Sequence, residues 1–473
     1  MVTISATPSS RSGADYLRLA NASTASGQPS PNQSLLPLSA RVNAHDHLEV
    51  GGCDVKALVE QYGSPLYILD ETTLRTACQQ YRDALKQYYA GPTLAIYASK
   101  AWNCWAVDAI VKQEGLGIDV VSGGELFTAI KAGFSAEQTY FHGNNKSREE
   151  LLLALEMGCN IVADNWLELR TLAELAQARA QSGETKPVPV MLRFTPGIEC
   201  HTHEYIRTGH LDSKFGFDPE QQQAVFEFLS QQPQLRCIGL HAHIGSQIFE
   251  LQPHHDLAEV LVRAFGEAQA HGLPVSQLNV GGGLGIRYTE SDDPPSIETW
   301  VKQVCDALTA ACEAHGLALP QLICEPGRSL IASACVTAYT IGSQKEVPGI
   351  RKYITVDGGM SDNPRPITYE SVYRAIVANR MSAPQTETVT VAGKHCESGD
   401  VLIKDAQLPP TEPGDILVVL GTGAYNYSMS SNYNRLTRPA GVLVQGGEAE
   451  VFLERETYAD LIRFDRLPER LSR

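Results

Sequence analysis

The stretch Thr93-Leu94-Ala95-Ile96-Tyr97-Ala98-Ser99-Lys100-Ala101-Trp102 is an apolar run that delivers one lysine at its end. An apolar run of this length predicts a buried strand over 94–99, with Lys100 directly after it. An amine flanked by apolar residues is expected to have its pKa lowered by desolvation, which would let it form a Schiff base with an aldehyde. A solvated lysine at a strand end is the alternative. Residues later in the chain are needed to distinguish these two interpretations.

Apolar runs alternate with amphipathic helical patterns along the chain that follows. Short parallel strands need helical crossovers, so eight strands with seven intervening helices predict a parallel (β/α)8 barrel. A doubly wound open sheet is the competing architecture. The predicted strands are 94–99, 118–121, 139–142, 160–163, 188–194, 238–243, 277–280 and 321–324, and the helical patterns include 148–157, 167–181, 220–229, 257–270 and 297–315.

The pattern changes at about residue 334 to short strands separated by turn signals. This predicts a C-terminal all-β domain, a β-sandwich or barrel, over 334–473. The barrel is expected over 71–333, and 45–70 are expected to complete the β domain with a strand near 65–69. Residues 1–44 are rich in Ser, Ala, Asn, Gln and Pro, which predicts a tail without a fixed fold. An organellar transit peptide is the alternative interpretation of that tail.

The chain of 473 residues carries 54 acidic and 38 basic residues, a formal net charge of -16. This balance argues against a general surface for nucleic acid or anionic membranes, so neither partner is expected. The eleven cysteines contain no C-x-x-C pair, which suggests neither a zinc ribbon nor a disulfide scaffold. No apolar signal peptide is visible, and the cytoplasm is the simplest compartment.

The predicted strand ends carry an unusual set of residues, and in a barrel the chemistry lies at these ends. Strand one ends in Lys100, strand six in His243-Ile244-Gly245-Ser246, strand seven in Gly281-Gly282-Gly283 and strand eight in Glu325-Pro326-Gly327-Arg328. The glycine run lets backbone N–H groups approach an anion, and barrels often bind phosphate between the last two loops. A simple tight turn is the alternative. Together the ends fit pyridoxal 5′-phosphate, which needs a lysine, a phosphate site and a partner for its pyridinium nitrogen.

Glu325 can be the partner of the pyridinium nitrogen. A carboxylate beside this nitrogen keeps it protonated, and the charged ring can then absorb the electrons released at the substrate Cα. A structural ion pair between Glu325 and Arg328 is the alternative interpretation.

Histidines at alternate positions suggest a second possibility. His241 and His243 face the same side of their strand, as do His201 and His203 if that segment is extended. A zinc site is the rival interpretation. No aspartate or glutamate pattern nearby completes a ligand set, so no metal is expected. His243 is instead expected to stack on the face of the cofactor ring.

The order of these motifs resembles that of the fold-type III pyridoxal-phosphate decarboxylases. The resemblance runs from about Cys53 to Asp465 and implies a barrel plus a β domain, and a homodimer with two active sites built across the subunit interface. The motifs are Tyr97-Ala98-x-Lys100-Ala101, Ile118-Asp119-Val120-Val121-Ser122, His243-Ile244-Gly245-Ser246, Gly281-Gly282-Gly283, Glu325-Pro326-Gly327-Arg328 and Cys396-Glu397-Ser398-Gly399-Asp400.

The resemblance also implies roles for single residues. Lys100 is the Schiff-base lysine, and Cys396 is the proton donor, supplied by the partner subunit. The family often has an asparagine two residues after the lysine, where this chain has Trp102. The implied catalytic residues are Lys100, His243, Glu325 and Cys396; the cofactor-binding residues are Lys100, Asp119, His243, Ser246, Gly281, Gly282, Gly283, Glu325, Pro326, Gly327, Arg328 and Tyr425; the substrate-binding residues are Arg328, Arg365, Tyr369, Glu397 and Tyr425.

The implied activity is decarboxylation of an amino acid. Arg328 and Arg365 favour a substrate with a second, distal carboxylate, because an arginine can hold a carboxylate in a bidentate pair. Decarboxylases of ornithine, arginine or carboxylated polyamines share every cofactor motif and are the nearest alternative, but they would need an acid at the distal position. A non-catalytic relative that keeps the fold for protein contacts is the third possibility.

Overall fold

The structure is a computed structural model that describes residues 11–20, 29–198 and 213–472. The chain starts with segments that precede the barrel. They are two 3-10 helices (Gly13–Ala20 and Pro31–Gln33), β1 (Arg41–Val42), β2 (Leu48–Val50), β3 (Cys53–Asp54), α1 (Val55–Tyr62) and β4 (Leu66–Asp70). Strands β1, β2 and β3 form a small antiparallel sheet.

Residues 29–44 are packed into the protein, which contradicts the predicted tail without a fixed fold. Leu35 and Leu36 are buried in an apolar core that they share with strands of the β domain. Asn32 is fully buried, and its side-chain amide donates to the carbonyl groups of Gly285 and Pro295. The polar composition of this segment predicted a solvated tail. The polar side chains are instead buried, where they donate hydrogen bonds to backbone carbonyl groups of a barrel loop. Residues 1–10 and 21–28 lie outside the described part.

The barrel is closed by eight parallel strands, as expected, and the alternative of an open sheet is wrong. The last strand pairs with the first, with Leu322 opposite Thr93. The strands are β5 (Thr93–Ala98), β6 (Gly117–Val120), β7 (Thr139–Phe141), β8 (Asn160–Ala163), β9 (Val188–Arg193), β10 (Leu235–His241), β11 (Gln277–Asn279) and β12 (Gln321–Cys324).

Helices surround the barrel, and local sequence fixes where several of them start and stop. The side chains of Ser122, Ser147 and Ser296 each accept a hydrogen bond from the first turn of the helix that follows. Gly133 and Gly158 end two helices in the left-handed conformation. The helices are α2 (Glu71–Tyr88), α3 (Trp105–Gln113), α4 (Gly123–Ala132), α5 (Arg148–Met157), α6 (Trp166–Gln181), α7 (Gln222–Ser230), α8 (Gln252–Ala270) and α9 (Ile297–His315).

A mostly β domain follows the barrel, as expected. Strand β4, ahead of the barrel in sequence, pairs with β13 and β19 of this domain, so the barrel is inserted between two parts of one sheet. The short helix α10 (Arg328–Ile331) ends the barrel, and the elements that follow it are β13 (Cys335–Val347), β14 (Arg351–Val356), α11 (Arg365–Tyr369), β15 (Ala375–Val377), β16 (Glu387–Ala392), β17 (Val401–Leu408), β18 (Ile416–Val419), β19 (Ala440–Gln445), β20 (Glu448–Leu453) and α12 (Tyr458–Ile462).

The apolar cores match this architecture. The largest core lies mainly between the barrel strands and their helices. A small core fills the barrel interior, with Ile96, Val162 and Met191 among its members, and two further cores support the β domain. No helix among the described residues is both long and apolar enough to cross a membrane.

Candidate active site

The strand ends enclose a cavity of about 490 Å³ that reaches Lys100. Lys100 follows β5 in a single turn of 3-10 helix, Ser99–Ala101. Segments of the β domain complete the cavity wall. Of the residues singled out from the sequence, the wall contains Lys100, Asp119, His243, Ser246, Gly283, Glu325, Gly327, Arg328, Arg365, Tyr369 and Tyr425.

The charge around Lys100 differs from the expectation of a lowered pKa. Burial lowers the pKa of Lys100, but the negative charge of Asp119, followed by Tyr425 and Glu325, outweighs burial and raises the pKa above its usual value. The sequence prediction was wrong in this respect because Asp119 and Glu325 come from other strands. The raised pKa means that the amine of the protein alone is a cation at neutral pH.

Glu325 is the centre of a buried polar cluster. Its Oε1 lies 2.9 Å from Nε2 of His142, at the end of β7, and its Oε2 lies 3.2 Å from Nε2 of His241, at the end of β10. The side-chain amide of Asn279, from β11, donates to Oε1 at 2.6 Å. Side chains from three other strands, β7, β10 and β11, thus hold the carboxylate that follows β12. The alternative ion pair with Arg328 is not seen, since Arg328 contacts Ser246 and Tyr288.

The cluster keeps Glu325 ionised. Burial raises the pKa of Glu325, but His142 and His241 outweigh burial and hold it well below its usual range. Burial lowers the pKa of His241 to about 4, and burial also raises the pKa of Asp119. A carboxylate that stays charged at neutral pH is what a partner of a pyridinium nitrogen requires.

The same cluster has the geometry of a metal site. One ligand atom from each of His142, His241 and Glu325 lies within 4.8 Å of the others. Glu325 is the carboxylate that the sequence motifs pair with the pyridinium nitrogen, so this cluster supports no separate metal centre. The other histidine pair, His201 and His203, lies outside the described residues.

The glycine run after β11 is too closely packed for side chains. A Cβ atom on Gly282 would lie 2.2 Å from the carbonyl oxygen of Glu325, and one on Gly281 would lie 2.6 Å from Nδ1 of His243. The N–H of Gly282 donates to Nδ1 of His243 at 3.2 Å. This hydrogen bond leaves the ring proton of a neutral His243 on Nε2. Burial, then the positive charges of Lys100 and Arg193, hold the pKa of His243 well below its usual value, so the ring is neutral.

Arg328 joins the barrel wall to the loop after β11. Its Nε and Nη2 donate to Oγ of Ser246 at 3.2 and 3.1 Å, and its Nη1 donates to the hydroxyl of Tyr288 at 2.7 Å. The guanidinium also lies 5.0 Å from the centre of the Tyr425 ring. Tyr425 has φ of +69°, a left-handed conformation that is unusual for a residue with a side chain. Its N–H donates to the carbonyl of Ala101, which ties the β domain to the turn that carries Lys100.

Arg365 brings a second guanidinium to the cavity from the β domain. It is 6% exposed, and it lies 5.2 Å from the ring centre of Tyr369 and 5.4 Å from that of Tyr425. Its Nε has no hydrogen-bond partner among the described residues. A buried, aromatic-lined arginine with an unsatisfied N–H is suited to a carboxylate ligand.

Five predicted site residues are not in the cavity wall. Gly281, Gly282 and Pro326 are next to wall residues in the chain, whereas Cys396 and Glu397 lie in a separate loop. Both are exposed in the loop between β16 and β17. The N–H of Cys396 donates to the side chain of Asn434 at 2.7 Å, and the buried pair His395–Asp400, 2.7 Å apart, supports the loop. The loop is thus an ordered, exposed feature of one chain.

Trp102, the departure from the family pattern, packs between the two domains. Its ring is stacked on Tyr427 at 5.6 Å and lies edge-on to Tyr67 at 5.4 Å. Tyr427 follows the cavity residue Tyr425. Trp102 therefore supports the domain contact beside the lysine and does not line the cavity.

Sequence reasoning missed several residues of the site. Asn279 and His142 contact Glu325, Tyr288 contacts Arg328, and Arg193 lines the cavity. His142 and Arg193 carried a usable signal, because each stands at the end of a predicted strand. Asn279 lies inside a predicted strand, and nothing in its local sequence marks it.

The residues present fit pyridoxal 5′-phosphate. The cavity offers an amine from Lys100, an ionised carboxylate from Glu325 and a flat neutral imidazole from His243. The close-packed glycine loop, with Ser246 and Arg328 beside it, offers donors for an anion. A closed barrel with this constellation at its strand ends, completed by a β domain, defines a pyridoxal-phosphate enzyme of the barrel class.

Comparisons with known proteins agree with this class. The family described as pyridoxal-dependent decarboxylase, pyridoxal binding domain, matches residues 71–332. The chain is 64% identical to the diaminopimelate decarboxylase of Synechocystis sp. over 94% of this chain and 95% of that protein, and 46% identical to that of Bacillus subtilis over 90% and 97%. Its fold is similar to that of M. jannaschii diaminopimelate decarboxylase in co-complex with L-lysine, with a TM-score of 0.84 and 31% identity over 92% of this chain and 99% of that one.

The chain therefore belongs to the pyridoxal-dependent decarboxylases and, among them, to the diaminopimelate decarboxylase family. The resemblance seen in the motifs and the expected cofactor, pyridoxal 5′-phosphate, are confirmed.

Proposed function

We propose that the protein catalyses the pyridoxal-phosphate-dependent decarboxylation of meso-2,6-diaminopimelate to L-lysine and CO2, the last step of lysine biosynthesis. The relatives named diaminopimelate decarboxylase cover nearly the whole chain. Because these relatives are decarboxylases, the chain is an enzyme of the carboxy-lyase class, and the interpretation as a non-catalytic protein is set aside.

The observation that carries the choice of substrate is the charge on the cavity wall. Arg328 and Arg365 stand together against the ring of Tyr425. Among the described lining residues the carboxylates are Asp119 and Glu325, and both belong to the cluster around the strand ends. A substrate with a second carboxylate suits the two guanidinium groups, whereas the distal ammonium of ornithine would meet positive charge.

The cofactor and the residues of the cavity have different tasks in the proposed reaction. When bound, the cofactor supplies an electron sink for the electrons left at Cα after loss of CO2. Glu325 is ionised and would hold a proton on the ring nitrogen of the bound cofactor, and His142, His241 and Asn279 keep its carboxylate in place. Lys100 would supply the amine that holds the cofactor.

We also propose that two subunits share each active site. Cys396 would give its proton to Cα in the site of the other subunit, and Glu397 would contact the substrate there. The exposure of the Cys396 loop in one chain supports this proposal, as does the distance in sequence between the loop and the barrel. A homodimer is then a condition of activity.

We infer that the protein works in the cytoplasm. The ten cysteines in the described part of the chain are all free, which is the usual state of cysteines in a reducing compartment.

The substrate is tested by comparing kcat/KM for meso-diaminopimelate, L-ornithine and L-arginine with the holoenzyme, from the rate of CO2 release. We expect a preference for meso-diaminopimelate of at least about a hundredfold, because a site built for a polar group rejects a ligand that leaves it unpaired. Equal or faster turnover of ornithine or arginine would favour the alternative decarboxylases.

A further inference from the structure

The N-terminal segment 29–36, hereafter the strap, lies against the loop that follows β11. The side-chain amide of Asn32 donates to the carbonyl of Gly285 at 3.1 Å and to that of Pro295 at 2.8 Å. The carbonyl of Asn32 accepts from the N–H of Arg287 at 2.9 Å. A single buried residue of the strap thus contacts the loop at Gly285 and Arg287 and again at Pro295.

Neighbours of Asn32 add to this attachment. Oγ of Ser30 donates to Oδ1 of Asn32 at 2.8 Å and accepts from the N–H of Ile297 at 3.1 Å, at the start of α9. The side chain of Gln33 donates to the carbonyl of Pro294 at 2.9 Å. These groups are buried, so losing a partner would leave polar atoms unsatisfied.

The held loop, residues 281–296, starts with the glycine run and contains Tyr288. The hydroxyl of Tyr288 accepts the hydrogen bond from Nη1 of Arg328, and its ring packs edge-on against Tyr373 at 5.3 Å. Ser246 accepts from the other side of the same guanidinium. Tyr288 and Ser246 together fix the plane in which Arg328 presents its fork to the cavity.

The far side of the loop is held by the β domain. Glu290 lies 2.7 Å from Nε of Arg374, and Arg11 of the N-terminal segment lies 3.7 Å from Glu290. The Arg11 pair is exposed and contributes little to stability. The loop therefore has two substantial attachments, the partly buried Glu290–Arg374 pair and the fully buried one through Asn32, and Asn32 is the one that comes from the strap.

We propose that the strap is a positioning element of the active site, in which Asn32 fixes the loop after β11 and Tyr288 transmits this position to Arg328. The inference rests on the proposed function, because it takes Arg328 to bind a carboxylate of the substrate. Asn32 and Tyr288 do not line the cavity, so their effect is on the alignment of Arg328 and not on the reacting atoms.

The test compares three variants of the full-length holoenzyme. Tyr288→Phe removes one hydroxyl, and Asn32→Ala removes the attachment of the strap. The matched control is Gln80→Ala, because Gln80 holds the other side of the strap, through Ser30 and Pro29, and does not touch the loop.

We expect Tyr288→Phe and Asn32→Ala each to raise KM for meso-diaminopimelate about tenfold with kcat within about twofold, since a hydrogen bond to a charged group is lost or misaligned. The double variant should be no worse than about twofold beyond either single variant, because both act through Arg328. Gln80→Ala should keep the wild-type KM. Lowered thermal stability with an unchanged KM, or effects that multiply in the double variant, would overturn the proposal.

Hydrogen exchange separates this proposal from the choice of substrate. With cofactor bound and no substrate, Asn32→Ala should exchange the amides of residues 285–297 faster than wild type, and Gln80→Ala should not. Suppose that Asn32→Ala exchanges faster but the wild-type protein does not decarboxylate meso-diaminopimelate. The strap would then still be the element that positions the loop, and only the proposed substrate would be rejected. Unchanged exchange in Asn32→Ala would reject the strap as the element that positions the loop.

Discussion

At the scale of single residues, the site depends on one carboxylate whose charge is fixed by its surroundings. Glu325 is buried, and burial alone would favour its neutral form. His142 and His241 reverse that preference, and the amide of Asn279 donates to the carboxylate. The sequence placed Glu325 correctly at a strand end, but its charge state depends on histidines from two other strands.

Glu325→Gln tests the role of this charge. We expect the variant to bind the cofactor and to lose at least about a hundredfold in kcat, because a neutral amide cannot hold the proton on the ring nitrogen. Asp108→Asn is the matched control, since Asp108 is a buried carboxyl group outside the cavity. Steady-state kinetics and the absorbance of the bound cofactor give the answer. Similar kcat losses in both variants would point to a general effect of removing buried carboxyl groups.

Arg365→Ala tests the distal carboxylate contact. We expect KM for meso-diaminopimelate to rise about tenfold to a hundredfold, since a hydrogen bond to a charged group is worth about 1.5–3 kcal/mol. The absorbance of the cofactor should not change. Arg365→Lys keeps the charge but loses the planar guanidinium, so its KM should lie between those of the wild type and Arg365→Ala. An unchanged KM in Arg365→Ala would remove the main argument for the substrate.

At the scale of elements, strand ends explain what the sequence could predict. Lys100, His243 and Glu325 were found because each follows an apolar run, and in a parallel barrel all such ends meet on one side. The strap was missed because Ser30, Asn32 and Gln33 look like solvated residues until their backbone partners, far away in sequence, are known. The Cys396 loop was assigned only through the family resemblance, because no periodicity connects it to the barrel.

Helix α3 should give the stability of the protein a pH dependence. Burial, then the nearby charge of Glu125, raises the pKa of Asp108 to about 8, while its side chain accepts from Asn103. The folded state therefore binds a proton that the unfolded state releases above about pH 4. This contribution is fully present at low pH and is lost as the pH rises towards 8.

Asp108→Asn removes this titration. We expect the melting temperature of wild type to fall more between pH 5 and pH 8 than that of Asp108→Asn, measured by circular dichroism or calorimetry. Activity at pH 7 should be the same in both proteins. Parallel melting-temperature profiles would show that Asp108 does not titrate in this range.

At the scale of the whole molecule, the active site that we propose is built from two chains. One chain supplies Lys100 and both arginines to a cavity, but it leaves Cys396 exposed elsewhere. The barrel and the β domain are tied together by β4, by Trp102 and by the contact of Tyr425 with Ala101. The cavity is therefore a property of the whole fold, and we propose that its last component comes from a second copy.

Mixing inactive Lys100→Ala with inactive Cys396→Ala tests the shared site. Under conditions of subunit exchange we expect up to about one quarter of wild-type activity, because random mixing makes half the dimers heterodimers, each with one intact site of two. The same mixture without exchange is the control and should stay inactive. Free exchange without recovery would show that both residues serve one subunit's site, or that Cys396 has no such role.

We propose that decarboxylation of meso-diaminopimelate in this cavity depends on Lys100. This proposal is tested most directly by measuring L-lysine and CO2 formed by the purified holoenzyme and by Lys100→Ala under the same conditions. We expect equal molar amounts of L-lysine and CO2 from the wild-type protein and no product above background from Lys100→Ala. A wild-type protein loaded with cofactor that forms neither product, or a Lys100→Ala variant as active as wild type, would contradict it.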